Sequence, residues 1–211
     1  MPSAGPRAPR YVKMFSGIIE SIGRVKAIDD HDEDKRLSID TDQVFISDIN
    51  KGESICVNGV CLTVVDIYEH GFISDISNET LSCTTLSESQ VNSKVNLEKA
   101  LQAGSRLNGH LVSGHVDGIG TIMQRSTDGR SERFVIEIPD SLGRYICKKG
   151  SVCINGVSLT VNESDSSSFS VNIIPHTLEA TTFGDLVQED HVNIEVDMIA
   201  RYLESLYESY Q

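Results

Sequence analysis

The sequence predicts an all-β fold with a C-terminal helix, organised as two tandem homologous barrels. Three observations predict it. First, the chain repeats itself in one constant register. Asn58-Gly59-Val60-Cys61-Leu62-Thr63-Val64 returns as Asn155-Gly156-Val157-Ser158-Leu159-Thr160-Val161. At the same offset Ser16-Gly17 returns as Ser113-Gly114, Thr80-Leu81 as Thr177-Leu178, and Val95-Asn96 with Glu98 as Val192-Asn193 with Glu195. One register held over so many anchors marks an internal duplication. Second, both copies read as short strands at regular spacing bounded by turn residues, the pattern of a small closed barrel. Third, the period changes at the end, where Met198, Ile199, Tyr202, Leu203, Leu206 and Tyr207 follow helical spacing between Asp197 and Tyr210.

Taken in order, residues 1–13 hold three prolines and three basic groups with no acidic residue, and read as a disordered leader or an added segment ahead of a natural start at Met14. An organelle-targeting role for it is the weaker alternative. The first barrel is expected over 14–110 and the second over 111–197, with a helix over 198–211. In the first copy Ser54-Ile55-Cys56-Val57 and Val60–Val64 flank Asn58-Gly59, the residue pair that supplies the positive φ angles of a type I′ hairpin turn. The second copy repeats the hairpin around Asn155-Gly156. Alternation puts Ile55, Val57, Val60, Leu62 and Val64 on the core face, and Cys56, Cys61 and Thr63 on the other. Val152, Ile154, Val157, Leu159 and Val161 match the first set, and Cys153, Ser158 and Thr160 the second. Small hydroxyls and thiols outside a barrel are either solvated edge positions or a binding face; their recurrence favours the latter. Further strands are expected at Leu37–Thr41, Gly71–Ile76, Phe134–Ile138 and Phe169–Ile174. The pattern leaves open whether the terminal helix packs on its own barrel or pairs between subunits.

The 211 residues carry a net charge of −13, which repels phosphate backbones and argues against nucleic acid as a partner. No apolar run approaches the roughly 20 residues of a membrane helix. The five cysteines form no C-x-x-C pair and read as buried, reduced thiols of a cytoplasmic protein.

No dinucleotide fingerprint, phosphate loop, H-E-x-x-H or zinc-spaced cluster is present, so neither a metal nor an organic cofactor is expected. The densest polar constellation runs from Asn108 to Gly118 and holds His110 and His115. Their spacing suits neither one helix face nor one strand face. Flanking glycines point instead to backbone lying close to a flat ligand, with an imidazole as donor or acid/base. The copies differ at their reactive positions: His115 answers to Ile18, Ser158 to Cys61, and Pro175-His176 to Asn78-Glu79. That is the pattern expected when like molecules bind in like sites and only one is made to react differently.

Met14-Phe15-Ser16-Gly17-Ile18-Ile19-Glu20, Asn58–Val64, Gly109–Asp117, Asn155–Val161 and Ile174–Thr182 together resemble the riboflavin synthase alpha chain, over residues 14 to about 205. The resemblance implies six-stranded Greek-key barrels, a homotrimer held by C-terminal helices, and dismutation of two 6,7-dimethyl-8-ribityllumazine molecules without a cofactor. The reacting pair is expected between the N-terminal barrel of one subunit and the C-terminal barrel of a neighbour. By position, the N-terminal site resembles Gly17, Ile18 and Ile19 with Cys61, Leu62, Thr63 and the run Asp75, Ile76, Ser77, Asn78, Glu79 and Thr80. The C-terminal site resembles Gly114, His115 and Val116 with Lys149, Ser158, Leu159, Thr160 and the run Ile174, Pro175, His176, Thr177, Leu178 and Glu179. His115 is expected to shuttle a proton at the substrate methyl carbons, and Ser158 and Cys61 to assist addition or steady a hydroxide. Phe15 resembles the family's aromatic near the reacting ring, or is a plain core residue. His110 and Asp197 are expected behind the contacting residues, and Asn155 stands where the family often has Asp. A lumazine synthase is a possible partner. The rival readings are a non-catalytic lumazine- or flavin-binding fluorescent protein and a flavin-reductase barrel.

Overall fold

The computed structural model describes residues 14–31 and 34–209, so the leader expected over 1–13 lies outside the described residues. Each copy closes into a six-stranded antiparallel barrel. The first comprises β1 (Ser21–His31), β2 (Asp34–Asp40), β3 (Ser54–Val57), β4 (Val60–Tyr68), β5 (Gly71–Ile76) and β6 (Lys94–Lys99), in spatial order β1-β2-β5-β4-β3-β6. The second comprises β7 (Gly118–Asp128), β8 (Ser131–Glu137), β9 (Ser151–Ile154), β10 (Val157–Ser164), β11 (Ser168–Ile173) and β12 (His191–Val196), in the equivalent order. In each barrel three hairpin-linked strands are followed by one that returns beside the first of them, which is a Greek key. Short helices fill the connections: α1 (Gln43–Ile46) and α2 (Asn78–Cys83) in the first copy, α3 (Asp140–Gly143) and α4 (Pro175–Ala180) in the second.

The expected hairpins form as type I′ turns, with φ of 46° and 85° at Asn58-Gly59 and 46° and 82° at Asn155-Gly156. Alternation sorts the faces as expected up to Val64 and Val161, beyond which both copies carry a register shift at the same place. These bulges bend the strand and re-aim the side chains beyond them. Each barrel has its own core, around Phe72, Leu37, Ile39 and Leu97 in the first and Phe134, Phe169, Ile136 and Phe183 in the second.

Cys56 and Cys153 do lie off the barrel cores, yet both are buried, because the outer faces of the two barrels cover each other there. With Phe15 and Val112 they form a small apolar seam, and Phe15 bridges Val112 in antiparallel fashion. Beside it the two hairpin turns meet so closely that a Cβ on Gly59 would stand 2.9 Å from the Gly156 nitrogen. Asparagines finish the joint. Asn96 Nδ2 donates to the Asn155 carbonyl at 2.9 Å and Asn193 Nδ2 to the Asn58 carbonyl at 2.8 Å. The Asn155 Oδ1 accepts from the Asn193 N–H at 2.8 Å, so this side chain ties its turn to β12, the strand whose Asn193 crosses to the first barrel.

The terminal helix α5 (Met198–Glu208) begins at Asp197, whose carboxylate caps the Ile199 N–H at 3.0 Å. It lies along its own barrel through polar contacts: Arg144 and Tyr145 engage Glu204, and Arg201 pairs with Asp117. Its apolar stripe is left outward, with Tyr202 67% and Leu203 62% exposed. No helix among the described residues is long and apolar enough to cross a membrane.

Candidate functional site

The site is assembled by two short segments that leave one barrel and dock on the other. Ser16 donates its N–H and hydroxyl to Glu98 Oε1 at 2.7 and 2.8 Å, and the Gly17 N–H reaches Glu98 Oε2 at 2.9 Å. Ser113 and Gly114 repeat the clamp on Glu195 at 2.7, 2.7 and 2.9 Å. Burial pushes the Glu98 carboxyl up to about 7 against the pull of these donors, and it raises Glu195 likewise.

Past the clamp each segment turns through a glycine of positive φ, 76° at Gly17 and 78° at Gly114. The Gly17 carbonyl then accepts the Ser158 N–H, and the Gly114 carbonyl the Cys61 N–H, both at 2.8 Å. A Cβ on either glycine would lie 2.6 Å from the side chain it faces, so the close approach needs glycine as much as the turn does. Ile19 packs on the core of the second barrel and Val116 on that of the first.

This corrects the grouping expected from sequence. Gly17-Ile18-Ile19 stands with Ser158-Leu159-Thr160, and Gly114-His115-Val116 with Cys61-Leu62-Thr63. A repeat shows which positions are equivalent, but it carries no information about which copy a segment docks on.

Ser158, Leu159, Thr160, Ile174 and Thr177 line a groove of about 360 Å³ on the second barrel. His110 adds to this side: its Nδ1 lies 2.7 Å from the Ser158 hydroxyl and its backbone N–H donates to the Ser16 carbonyl at 3.2 Å. Desolvation lowers the His110 pKa, which keeps the ring neutral at pH 7. A neutral imidazole at this distance can accept the Ser158 proton. His115 is exposed, its backbone N–H held by Ser113 Oγ at 3.3 Å, and it borders a cavity of about 460 Å³ with Glu195, Arg201 and Tyr202.

Other expected positions fall differently. Phe15 is wholly buried in the seam and reaches the site only through the backbone leading to Gly17. Leu62 and Ile76 point into the first core, so their backbones alone face outward. Asp75 is held by Arg36 in a two-point ion pair at 2.7 and 3.0 Å. Ser77 caps α2 by accepting the Thr80 N–H at 3.2 Å. Lys149 is exposed in a left-handed turn, with φ 70°. The clamping roles of Glu98 and Glu195 were missed, although both glutamates are anchors of the repeat. A glutamate recurring at the same place in the pattern Val-Asn-x-Glu of both closing strands was the available signal.

Residues 16–100 and 113–197 each match the lumazine binding domain family. The chain is 45% identical to the riboflavin synthase of Photobacterium leiognathi over 92% of its own length and 88% of that protein. It is 44% identical to the Mycobacterium tuberculosis H37Rv riboflavin synthase, over 93% of this chain and 99% of that one. The chain belongs to the riboflavin synthase family. Among solved structures, LumP complexed with 6,7-dimethyl-8-(1'-D-ribityl) lumazine is similar, with a TM-score of 0.78 and 28% identity over 86% of this chain and 98% of that one. LumP complexed with riboflavin matches with a TM-score of 0.80 and 30% identity over the same shares of the two chains. The duplicated family domain accounts for the paired clamps, and this chain is an enzyme of the riboflavin synthase kind.

Proposed function

We propose that the chain catalyses dismutation of two 6,7-dimethyl-8-ribityllumazine molecules. One passes a four-carbon unit to the other, giving riboflavin and 5-amino-6-ribitylaminouracil. The reaction is a disproportionation, so no external oxidant or reductant is required. The observation that carries the reading is the reciprocal docking at Ser158 and Cys61. It builds two equivalent clefts whose reactive groups differ, as two identical substrates with different fates require.

Most of the rate enhancement comes from holding the two rings close and in register. The C7 methyl of the substrate is acidic because its anion delocalises through the ring, and the His115 imidazole takes and returns that proton. Ser158, hydrogen-bonded to neutral His110, and Cys61 supply the nucleophilic oxygen and sulfur or steady a hydroxide at the ring carbon. Phe15 acts by positioning the Ser16–Ile18 segment, and Asp197 by starting α5 beside the His115 cavity.

The test is direct: the purified chain and 6,7-dimethyl-8-ribityllumazine alone, with riboflavin absorbance followed against substrate loss. One riboflavin per two substrates is the expected stoichiometry. Tight binding without turnover would move the chain to a ligand-holding protein, the second reading that the LumP structures support.

The exposed stripe of α5 supports a homotrimer in which these helices pack together and bring clefts of neighbouring subunits face to face. Replacing Leu203 and Leu206 together by Asp places two charges on that stripe without touching Arg201 or Glu204. Light scattering is expected to show monomers, with most turnover lost; an unchanged assembly would refute the helix-held trimer.

A further inference from the structure

We propose that Asn172 reads the ligand in the second barrel, its side-chain carbonyl accepting a hydrogen bond from a ribityl hydroxyl or a ring N–H. The inference rests on the lumazine reading above and adds to it a residue that makes the two clefts unequal.

The starting point is one cross-strand pair that the repeat preserves and the side chains treat differently. In the first barrel Arg36 on β2 lies opposite Asp75 on β5; in the second, Arg133 on β8 lies opposite Asn172 on β11. Arg36 forks onto Asp75, and charge and hydrogen bonds are satisfied within the protein. Arg133 does otherwise. Its Nη2 turns to Glu163 Oε2 at 2.5 Å and Ser170 Oγ at 3.0 Å, leaving the residue opposite without a cation on it.

Asn172 is held from two sides. Its backbone N–H donates to Asn162 Oδ1 at 3.1 Å, and its Nδ2 donates to Asp128 Oδ2 at 2.7 Å. A carboxylate at neutral pH only accepts, so the amide can face Asp128 in one orientation, with its NH₂. The carbonyl is thereby fixed, and it is buried with no hydrogen-bond partner. Buried acceptors are nearly always paired, and one left open beside a binding groove is explained by a donor arriving with the ligand. Asn172 lines the groove together with Ser158, Thr160, Asn162 and Thr177, a set of hydroxyls and amides suited to a polyol-bearing heterocycle. The first barrel presents an anion already engaged by Arg36 at this height, whereas the second presents a neutral, oriented acceptor.

Isothermal titration of the full chain tests this, using 6,7-dimethyl-8-ribityllumazine and, separately, 6,7-dimethyllumazine, which lacks the ribityl chain. Asn172→Leu is expected to weaken one class of site by about tenfold, the loss of one hydrogen bond, and to leave the other class unchanged. A purely structural role is separated by exchanging the pair: Asn172→Asp combined with Asp128→Asn keeps an acceptor at 172 and restores the tie with its polarity reversed. That double variant is expected to bind within about threefold of the parent. If Asn172→Leu binds both classes normally, the proposal is overturned. It is also overturned if the exchanged pair is as weak as Asn172→Leu, because the residue would then act only through the tie. Loss with the ribityl ligand alone assigns the contact to the chain, and equal loss with both ligands assigns it to the ring. A parent protein that binds neither ligand would instead sink the lumazine reading on which the proposal stands.

Discussion

His115→Gln is expected to lower turnover by about 100-fold, the lower end of what a positioned acid/base contributes, while ligand affinity stays near that of the parent. The separation of rate from affinity comes from how the segment is held. Ser113 and Gly114 are fixed through backbone and hydroxyl to Glu195, and the Gly114 carbonyl is fixed to Cys61. No bond in this chain of contacts uses the imidazole. Gln keeps the size and a hydrogen-bonding tip but cannot carry a proton back and forth near neutral pH. Single-turnover rates with titrated affinity check it. Full rate with unchanged binding would remove His115 from the chemistry and turn attention to the His110–Ser158 pair.

Glu98→Ala is expected to cost on the order of 4 kcal/mol of stability, because the Ser16 N–H, the Ser16 hydroxyl and the Gly17 N–H all lose their acceptor inside the protein. Turnover should fall with it, since the same carboxylate places the segment that docks on Ser158. A milder change isolates the titration. The Glu98 carboxyl is raised from 4.5 to about 7 by burial. The folded chain therefore keeps this proton over a range in which the unfolded chain has lost it. Stability from this group is fully present below about pH 4.5, declines as pH rises toward 7, and is flat above. Glu195, shifted in the same direction, adds to the slope. Glu98→Gln removes one titration and sets an amide NH₂ against the Gly17 N–H. Denaturant unfolding across pH 4.5–8 is expected to show a lower but flatter profile than the parent. An unchanged slope would mean that Glu98 stays ionised throughout.

The elements that announced themselves in the sequence are those whose cause is local. Asn58-Gly59 and Asn155-Gly156 form their turns because two adjacent residues accept positive φ. Val60 to Val64 sort by face because alternation is a property of the strand alone. Asp197 caps α5 because its side chain reaches two residues on. The features that escaped notice depend on contacts between the copies. Burial of Cys56, Cys153 and Phe15 was within reach of the sequence, but the seam that produces it, one barrel lying against the other, was not. The pairing of Gly17 with Ser158 and Gly114 with Cys61 is a docking choice that no local pattern encodes. Asn172 gave no signal because its significance lies in what Arg133 declines to do on the neighbouring strand.

The crossed segments also bear on how such a chain could have arisen. Each barrel lends its opening residues to its neighbour and receives the neighbour's in return, which is the geometry of a domain swap carried out within one polypeptide. A lone ancestral barrel would have had nothing to receive, and could have completed its cleft only by exchanging those residues with a second copy. Gene fusion then converts a symmetric exchange between identical partners into a permanent one between halves free to diverge. Ile18 facing His115 in the alignment of the halves, and Cys61 facing Ser158, are the divergence that this permanence allows.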